Sequence, residues 1–189
     1  TVKNRSQVFG YYDHNMLVMS ERISDHLPKT QKYLPKQRLW YIRANEVLIS
    51  SGSIERPLVF GNNDTPGVML SSAAKEYMKV YGVLVGKKPL IFTNNDSGYE
   101  TAIEFKKNGV NPIILDTRSD PSSDIIAEAK NLNIEIKFSH VVVAAKGYKK
   151  VKSADIAKIS DDKKELFNIE NIECDCICVS GFWTPSIHL

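Results

Sequence analysis

The chain has 189 residues, of which 42% are hydrophobic, and this is enough to bury a substantial core. Its 25 basic and 22 acidic residues are spread along the sequence and give a net charge of +3, so no nucleic-acid-binding footprint is indicated. Apolar runs such as residues 141–145 are far shorter than the roughly 20 residues that cross a bilayer, so no membrane segment is expected. The first residues, from Thr1, show no signal-peptide pattern.

Three cysteines, Cys174, Cys176 and Cys178, alternate along one predicted strand, so we expect them to share one buried face. A zinc site would need further ligands and a turn between the cysteines, and packing is therefore the favoured interpretation. Free cysteines fit a reducing compartment, which predicts a cytoplasmic location.

The first third of the chain predicts short strands separated by turns. Alternating residues 7–12 and 16–21 flank turn residues and indicate a β-hairpin, while residues 24–37 contain two prolines and indicate a surface loop. Residues 38–43 predict another strand. The apolar run 46–50 is typical of a strand buried on both faces, and it ends in the small residues Ser51, Gly52 and Ser53.

From residue 68 onward, helical and strand patterns alternate. Residues 71–78 predict a helix, and Gly82 is the residue expected to stop it. A strand, a helix and a strand are predicted next, over residues 89–92, 98–108 and 111–116. A second crossover helix over residues 124–132 leads to a strand over 134–138, which together predict a parallel sheet. Residues 140–166 favour a β-meander, and residues 174–180 a last strand.

The loop after the strand at residues 89–92 stands where a dinucleotide fingerprint, G-x-G-x-x-G, is expected. Only the third glycine, Gly98, is present, and it serves helix packing more than phosphate contact. Asp116 lies 23 residues after Thr93, near the offset of a ribose-binding acid. The loop is either an adapted pocket in which Asn94 and Asn95 donate hydrogen bonds, or a unit that keeps the fold and binds nothing. The second interpretation is favoured.

Five strings carry a resemblance to a known family. They are residues 8–18 (VFGYYDHNMLV), 51–60 (SGSIERPLVF), 62–70 (NNDTPGVML), 93–97 (TNNDS) and 180–189 (SGFWTPSIHL). Together they resemble the α subunit of heterotetrameric sarcosine oxidase, and the resemblance covers essentially the whole chain.

The resemblance implies an α/β fold of the FAD/NAD(P)-binding, pyridine nucleotide-disulfide reductase type, with a parallel sheet flanked by helices plus a β-meander. Residues 1–64 would be the C-terminal part of a first dinucleotide-binding domain. Residues 65–172 would be an inserted second Rossmann-like domain, and residues 173–189 would supply a return strand to the first. The glycine-rich loop of the first domain is expected upstream of Thr1.

The resemblance also implies cofactor-binding residues. The strand end Ser50, Ser51, Gly52 and Ser53 and the corner Gly181, Phe182 and Trp183 would flank NAD, and Val8 would lie near the adenine end. Phe182 stands where a glycine is common, which would narrow the approach to the nucleotide. No residue is predicted to be catalytic or to bind a metal.

The implied activity is oxidation of sarcosine, a secondary amine, by a flavin on a partner subunit. The complex would hold FMN and FAD, and the partners would be β, γ and δ subunits, with neither nucleic acid nor membrane. This chain would act as an NAD-associated scaffold and would be inactive alone. Two alternatives remain at this point: a related amine or opine dehydrogenase α subunit, and an assembly module that binds no nucleotide.

Overall fold

The computed structural model describes residues 1–28 and 32–188, and its residues form two compact units. One unit comprises Thr1–Gly52 with Pro185–Leu189, and the other comprises Ser53–Thr184. These divisions differ from the predicted domain boundaries at residues 64 and 172. The predicted loop over 24–37 includes residues 29–31, which lie outside the described residues, as does Leu189.

The first unit contains a three-stranded antiparallel sheet in the order β1-β2-β3. Its strands are β1 (Ser6–Tyr12), β2 (Met16–Arg22) and β3 (Gln37–Arg43). The predicted hairpin and the strand after it are confirmed. The hairpin turns through Asp13–Asn15, where His14 and Asn15 take positive φ angles of 60° and 53°. Residues 46–50, predicted as a buried strand, form no regular secondary structure, and Leu48 is 93% exposed.

The second unit is built on a five-stranded parallel sheet in the order β5-β12-β6-β7-β8. The sheet strands are β5 (Val68–Leu70), β6 (Pro89–Thr93), β7 (Ile113–Asp116), β8 (Glu135–Phe138) and β12 (Cys176–Ser180). The helices are α1 (Ser71–Tyr81), α2 (Ser97–Lys107) and α3 (Asp124–Asn131). The predicted crossovers are confirmed.

Five further strands lie outside the parallel sheet. The predicted meander is an antiparallel sheet in the order β11-β10-β9, and β4 and β13 form a two-stranded ribbon. Their bounds are β4 (Ser53–Glu55), β9 (His140–Lys146), β10 (Ser153–Ile159), β11 (Leu166–Glu173) and β13 (Trp183–Pro185).

Strand alternation in the parallel sheet divides the core into two clusters. Ile91, Ile114 and Cys178 face a cluster that includes residues of all three helices. The intervening Leu90 and Phe92 face a second cluster, formed with residues of β9 and β10. A sheet covered on both faces explains why β6 and β12 are buried throughout.

The last strand departs from two expectations. β12 was expected to return to the first domain, but it lies between β5 and β6 in the parallel sheet. Cys176 and Cys178 share the helical cluster as expected, whereas Cys174 packs in the other cluster. Cys174 precedes β12, so the alternation of the strand does not extend to it. All three cysteines are buried, and burial raises the pKa of Cys174 to about 12.

Among residues 1–28 and 32–188, no helix combines the length and the apolar character that crossing a bilayer requires.

The packing role predicted for Gly98 is confirmed by its surroundings. A Cβ atom at Gly98 would lie 2.7 Å from Thr93 Cβ, which is closer than real Cβ atoms come. We therefore expect Gly98→Ala to lower the free energy of unfolding by about 1–3 kcal/mol, because overpacking outweighs the gain in helix propensity. Urea unfolding measures the change. Adding Thr93→Gly should restore part of the loss, and additive effects of the two substitutions would contradict this origin.

Candidate functional site

The carboxyl ends of the parallel strands are the expected place for a ligand in this kind of sheet. β6 ends at Thr93, β12 ends beside it at Ser180, and β7 ends at Asp116 on the other side. The loop from β6 to α2 starts here, so its residues decide whether a phosphate group can reach the first turn of the helix.

Asn95 fills the space at the start of α2 with its own side chain. Its Oδ1 accepts a hydrogen bond from Ser97 N at 2.9 Å, which is one of the amides that a bound phosphate would use. Its Nδ2 donates to Ser180 O at 3.2 Å and so links the loop after β6 to the end of β12. Thr93 Oγ1 accepts from Asn95 N at 3.1 Å and donates to Asn95 O at 2.8 Å. The polar groups of the loop are therefore hydrogen-bonded within the protein, and the loop connects the ends of β6 and β12.

Asp116, the candidate ribose acid, is fully buried and has protein partners on both oxygens. Tyr99 Oη donates to Asp116 Oδ2 at 2.7 Å, and Arg118 N donates to Oδ1 at 2.9 Å. The Arg118 guanidinium adds a bidentate contact through Nε and NH2. A ribose hydroxyl would have to displace these donors.

Arg118 ties this acid to the loop after β6. Its NH1 lies 2.8 Å from Asp96 Oδ1, so one guanidinium bridges the loop and the end of β7. Burial lowers the pKa of Arg118, but its contacts with Asp116 and Asp96 outweigh burial and raise it overall. Burial and the Asp116 carboxylate raise the pKa of Tyr99 as well. Both groups therefore keep their protons and continue to donate to Asp116.

The ribbon β4–β13 carries two of the predicted cofactor-binding residues, and two more lie beside it. Ser53 begins β4, Trp183 begins β13, and Gly181 and Phe182 link β12 to the ribbon. Arg56 N donates to Phe182 O and Gly181 N donates to Arg56 O, both at 2.8 Å. A Cβ atom at Gly181 would lie 2.8 Å from Arg56 O, so the close approach of these two chain segments requires glycine there.

The other predicted cofactor-binding residues lie in the first unit. Val8 is in β1, and Ser50, Ser51 and Gly52 lie in the segment without regular structure before β4. Gly52 has φ +77°, and apart from its own neighbours in sequence no heavy atom of residues 1–28 and 32–188 lies within 4 Å of the position of a Cβ atom. Ser51 Oγ donates to Ser186 O, and Ser186 N donates to Gly52 O at 2.9 Å.

Glu55 is a buried carboxylate that the sequence analysis did not single out for a role. It is 4% exposed, and its Oε2 accepts a hydrogen bond from Ser72 N at 2.8 Å. Ser72 is in the first turn of α1. Leu70, the residue just before the helix, has no polar side chain that could cap it. Glu55 therefore caps α1 from another part of the chain and complements the positive end of its dipole.

Sequence reasoning also missed Tyr99 and Arg118. The acidic residue Asp116 gave a signal, because Arg118 stands two positions after it at the end of a predicted strand. An arginine there can neutralise a buried acid, but only the fold shows that Tyr99 of α2 reaches the same oxygen.

The Tyr99 hydrogen bond gives the chain an expected pH dependence. The raised pKa in the folded state means that the contribution to stability is complete below the ordinary tyrosine pKa of 10.0 and decreases above it. We expect Tyr99→Phe to cost about 1–3 kcal/mol near pH 8 and to reduce the fall in stability above pH 10. Urea unfolding between pH 8 and 11 tests both effects. Exposed Tyr148, changed to Phe, is the control, and an unchanged alkaline slope in Tyr99→Phe would argue against the assignment.

Phe182 has φ +84°, in the left-handed region that favours glycine, and its side chain is 59% exposed. Phe182→Gly should raise the free energy of unfolding by about 1 kcal/mol, because relief of backbone strain exceeds the lost packing and the added chain entropy. Phe182→Ala keeps the Cβ atom and the strain, so it should bring no gain. Thermal unfolding of the three proteins makes the comparison. A gain in the alanine variant as large as in the glycine variant would assign the effect to the ring instead.

No family model matches the chain. Over 186 residues it is 36% identical to the sarcosine oxidase subunit alpha of Rhizobium meliloti (strain 1021), and over 188 residues 33% identical to that of Corynebacterium sp. (strain P-1). Each match covers 98% of the chain but 18% and 19% of the relative, so the chain spans about a fifth of the length of these curated relatives.

Solved structures establish the fold. The thioredoxin reductase of T. acidophilum matches with a TM-score of 0.67 and 15% identity, over 97% of the chain and 54% of that structure. The Lactococcus lactis thioredoxin reductase matches with a TM-score of 0.66 and 13% identity, over 97% and 55%. The predicted fold class, that of the FAD/NAD(P)-binding disulfide reductases, is confirmed. Along 98% of its length the chain is related to one segment of the sarcosine oxidase α subunits, which confirms the predicted resemblance.

Proposed function

We propose that the chain is a nucleotide-associated scaffold segment of the α subunit of a sarcosine-oxidising flavoenzyme. The observation that carries this proposal is the similarity to sarcosine oxidase α subunits over 98% of the chain, at 32–36% identity. A disulfide-reductase type of fold supports it, because such folds hold flavin and pyridine nucleotides on Rossmann-like units.

NAD is the proposed dinucleotide, and its proposed contacts are Val8, residues 50–53 and residues 181–183. Gly52 supports this assignment. Its φ of +77° and the open space on its Cα leave backbone that a ligand can approach closely. Trp183, which is 41% exposed, offers a flat ring on which a ligand can stack.

The second Rossmann unit is proposed to bind no nucleotide. Asn95 occupies the amide at the start of α2, and Tyr99 and Arg118 occupy the acid that would hold a ribose. These contacts close the crevice at the carboxyl ends of β6 and β7. This closed crevice also supports a second candidate function, an assembly module that binds no nucleotide. The two candidates differ in the expected effect of replacing Gly52, because only the nucleotide-associated scaffold has an NAD affinity to lose.

Amine oxidation itself is assigned to other parts of the complex. In that reaction a flavin accepts a hydride from the carbon next to the amine nitrogen, and the electrons pass to a second flavin and then to oxygen. We propose that the complex holds FMN and FAD and that its other subunits are β, γ and δ. A related amine or opine dehydrogenase would share the same scaffold, because the substrate pocket would lie on the partner subunit.

Replacing Gly52 with valine tests the dinucleotide proposal in the intact α subunit. The β-branched side chain would enter the open space and oppose the positive φ angle, so we expect NAD affinity to fall at least about tenfold. Isothermal calorimetry with NAD measures it. Gly109→Val is the matched control, because Gly109 has φ +78° and equally open surroundings at the end of α2.

Gly109→Val should leave NAD affinity unchanged. Equal affinity in both variants would remove Gly52 from the site, and an intact subunit that binds no NAD at all would favour the assembly module.

A further inference from the structure

An open cavity of about 380 Å³ lies one strand away from the closed crevice. It is lined mainly by apolar side chains, contributed by the segment after β4, by β5 and by the end of β12: Pro57, Leu58, Val68, Met69, Leu70 and Val179. Its volume lies within the range of small-molecule sites, about 300–1,000 Å³. The cavity includes Leu70 and Val179, at or next to the carboxyl ends of two neighbouring parallel strands, where ligands of such sheets bind.

Two polar residues, Asn63 and Asp64, complete the lining. Across residues 1–28 and 32–188, neither side chain takes part in a hydrogen bond or ion pair with the protein. They are the polar groups that could orient a ligand in an otherwise apolar cavity.

The loop that presents these two residues is held in place on both sides. Gly61 N donates to Val143 O at 2.8 Å, and Asn62 Nδ2 donates to Ala145 O at 3.1 Å. At the other end of the loop, Val151 N donates to Pro66 O at 2.9 Å. Asn63 and Asp64 therefore project from fixed backbone, which lowers the entropic cost of binding a ligand.

From these observations we propose that the cavity binds an aromatic nitrogen heterocycle that carries an amino group, of the aminopurine class. The apolar lining takes the ring faces, and the Asp64 carboxylate accepts a hydrogen bond from the amino group. A purely aliphatic ligand would leave Asp64 unused, and an anion would be repelled by it. The cavity adjoins Gly181, one of the proposed dinucleotide contacts, because a Cβ atom at Gly181 would lie 2.9 Å from Leu58 Cγ.

The test uses adenosine and purine riboside, which lacks the exocyclic amino group. Both are titrated by calorimetry into the intact α subunit carrying Gly52→Val, so that the proposed dinucleotide site is blocked. Adenosine is expected to bind at least about tenfold more tightly than purine riboside, because only adenosine donates to Asp64. This comparison needs no substitution in the cavity itself.

Asp64→Ala should weaken adenosine at least about tenfold and abolish the difference between the two nucleosides. Asp120→Ala, which removes another exposed carboxylate, should change neither affinity. Val68→Trp, which fills the cavity, should reduce the binding of both nucleosides. The proposal is overturned if adenosine does not bind, if the two nucleosides bind equally, or if Asp64→Ala leaves adenosine affinity intact. If Gly52→Val does not weaken NAD binding, the cavity is still tested, because Asp64→Ala and Val68→Trp change residues outside the proposed dinucleotide contacts.

Discussion

The structure of the carboxyl edge depends on one constraint: the polar groups at a buried strand end must find hydrogen-bond partners. In a nucleotide-binding Rossmann unit, glycines let a phosphate satisfy the amides at the helix start. Here Asn95 supplies an oxygen of its own to Ser97 N and a donor to Ser180 O. The Asn95 side chain thus satisfies groups that a phosphate satisfies in nucleotide-binding units of this fold.

The same principle explains the buried acid. Unpaired, a carboxylate at Asp116 would be costly, since the residue is fully buried. Tyr99 and Arg118 satisfy it, and the guanidinium extends the network to Asp96 on the loop. Asp116 and the loop after β6, which stand where a ribose and a phosphate bind in nucleotide-binding units of this fold, are thus stabilised by contacts within the protein.

Local sequence patterns predicted the elements of the second unit well, because β6, α2 and β7 carry clear periodicity and glycines at the turns. The order of the strands within the sheet was harder to predict from the sequence. Residues 174–180 read correctly as a strand, but no local pattern shows which strand β12 pairs with. The apolar run 46–50 was predicted as a buried strand, yet Leu48 is exposed. An apolar pattern alone does not show which other residues would cover such a run. Glu55 and Tyr99 were missed for a similar reason, since their partners are 17 residues away in sequence.

Glu55 has one more consequence. A helix normally finds its cap next to itself in sequence, and it can then fray and reform alone. The first turn of α1 instead relies on an acceptor located in the ribbon. Separating β4 from the helix would expose the amide of Ser72 and a carboxylate together, so the two elements open as one cooperative unit. A change in the position of the ribbon would therefore change the capping of the first turn of α1.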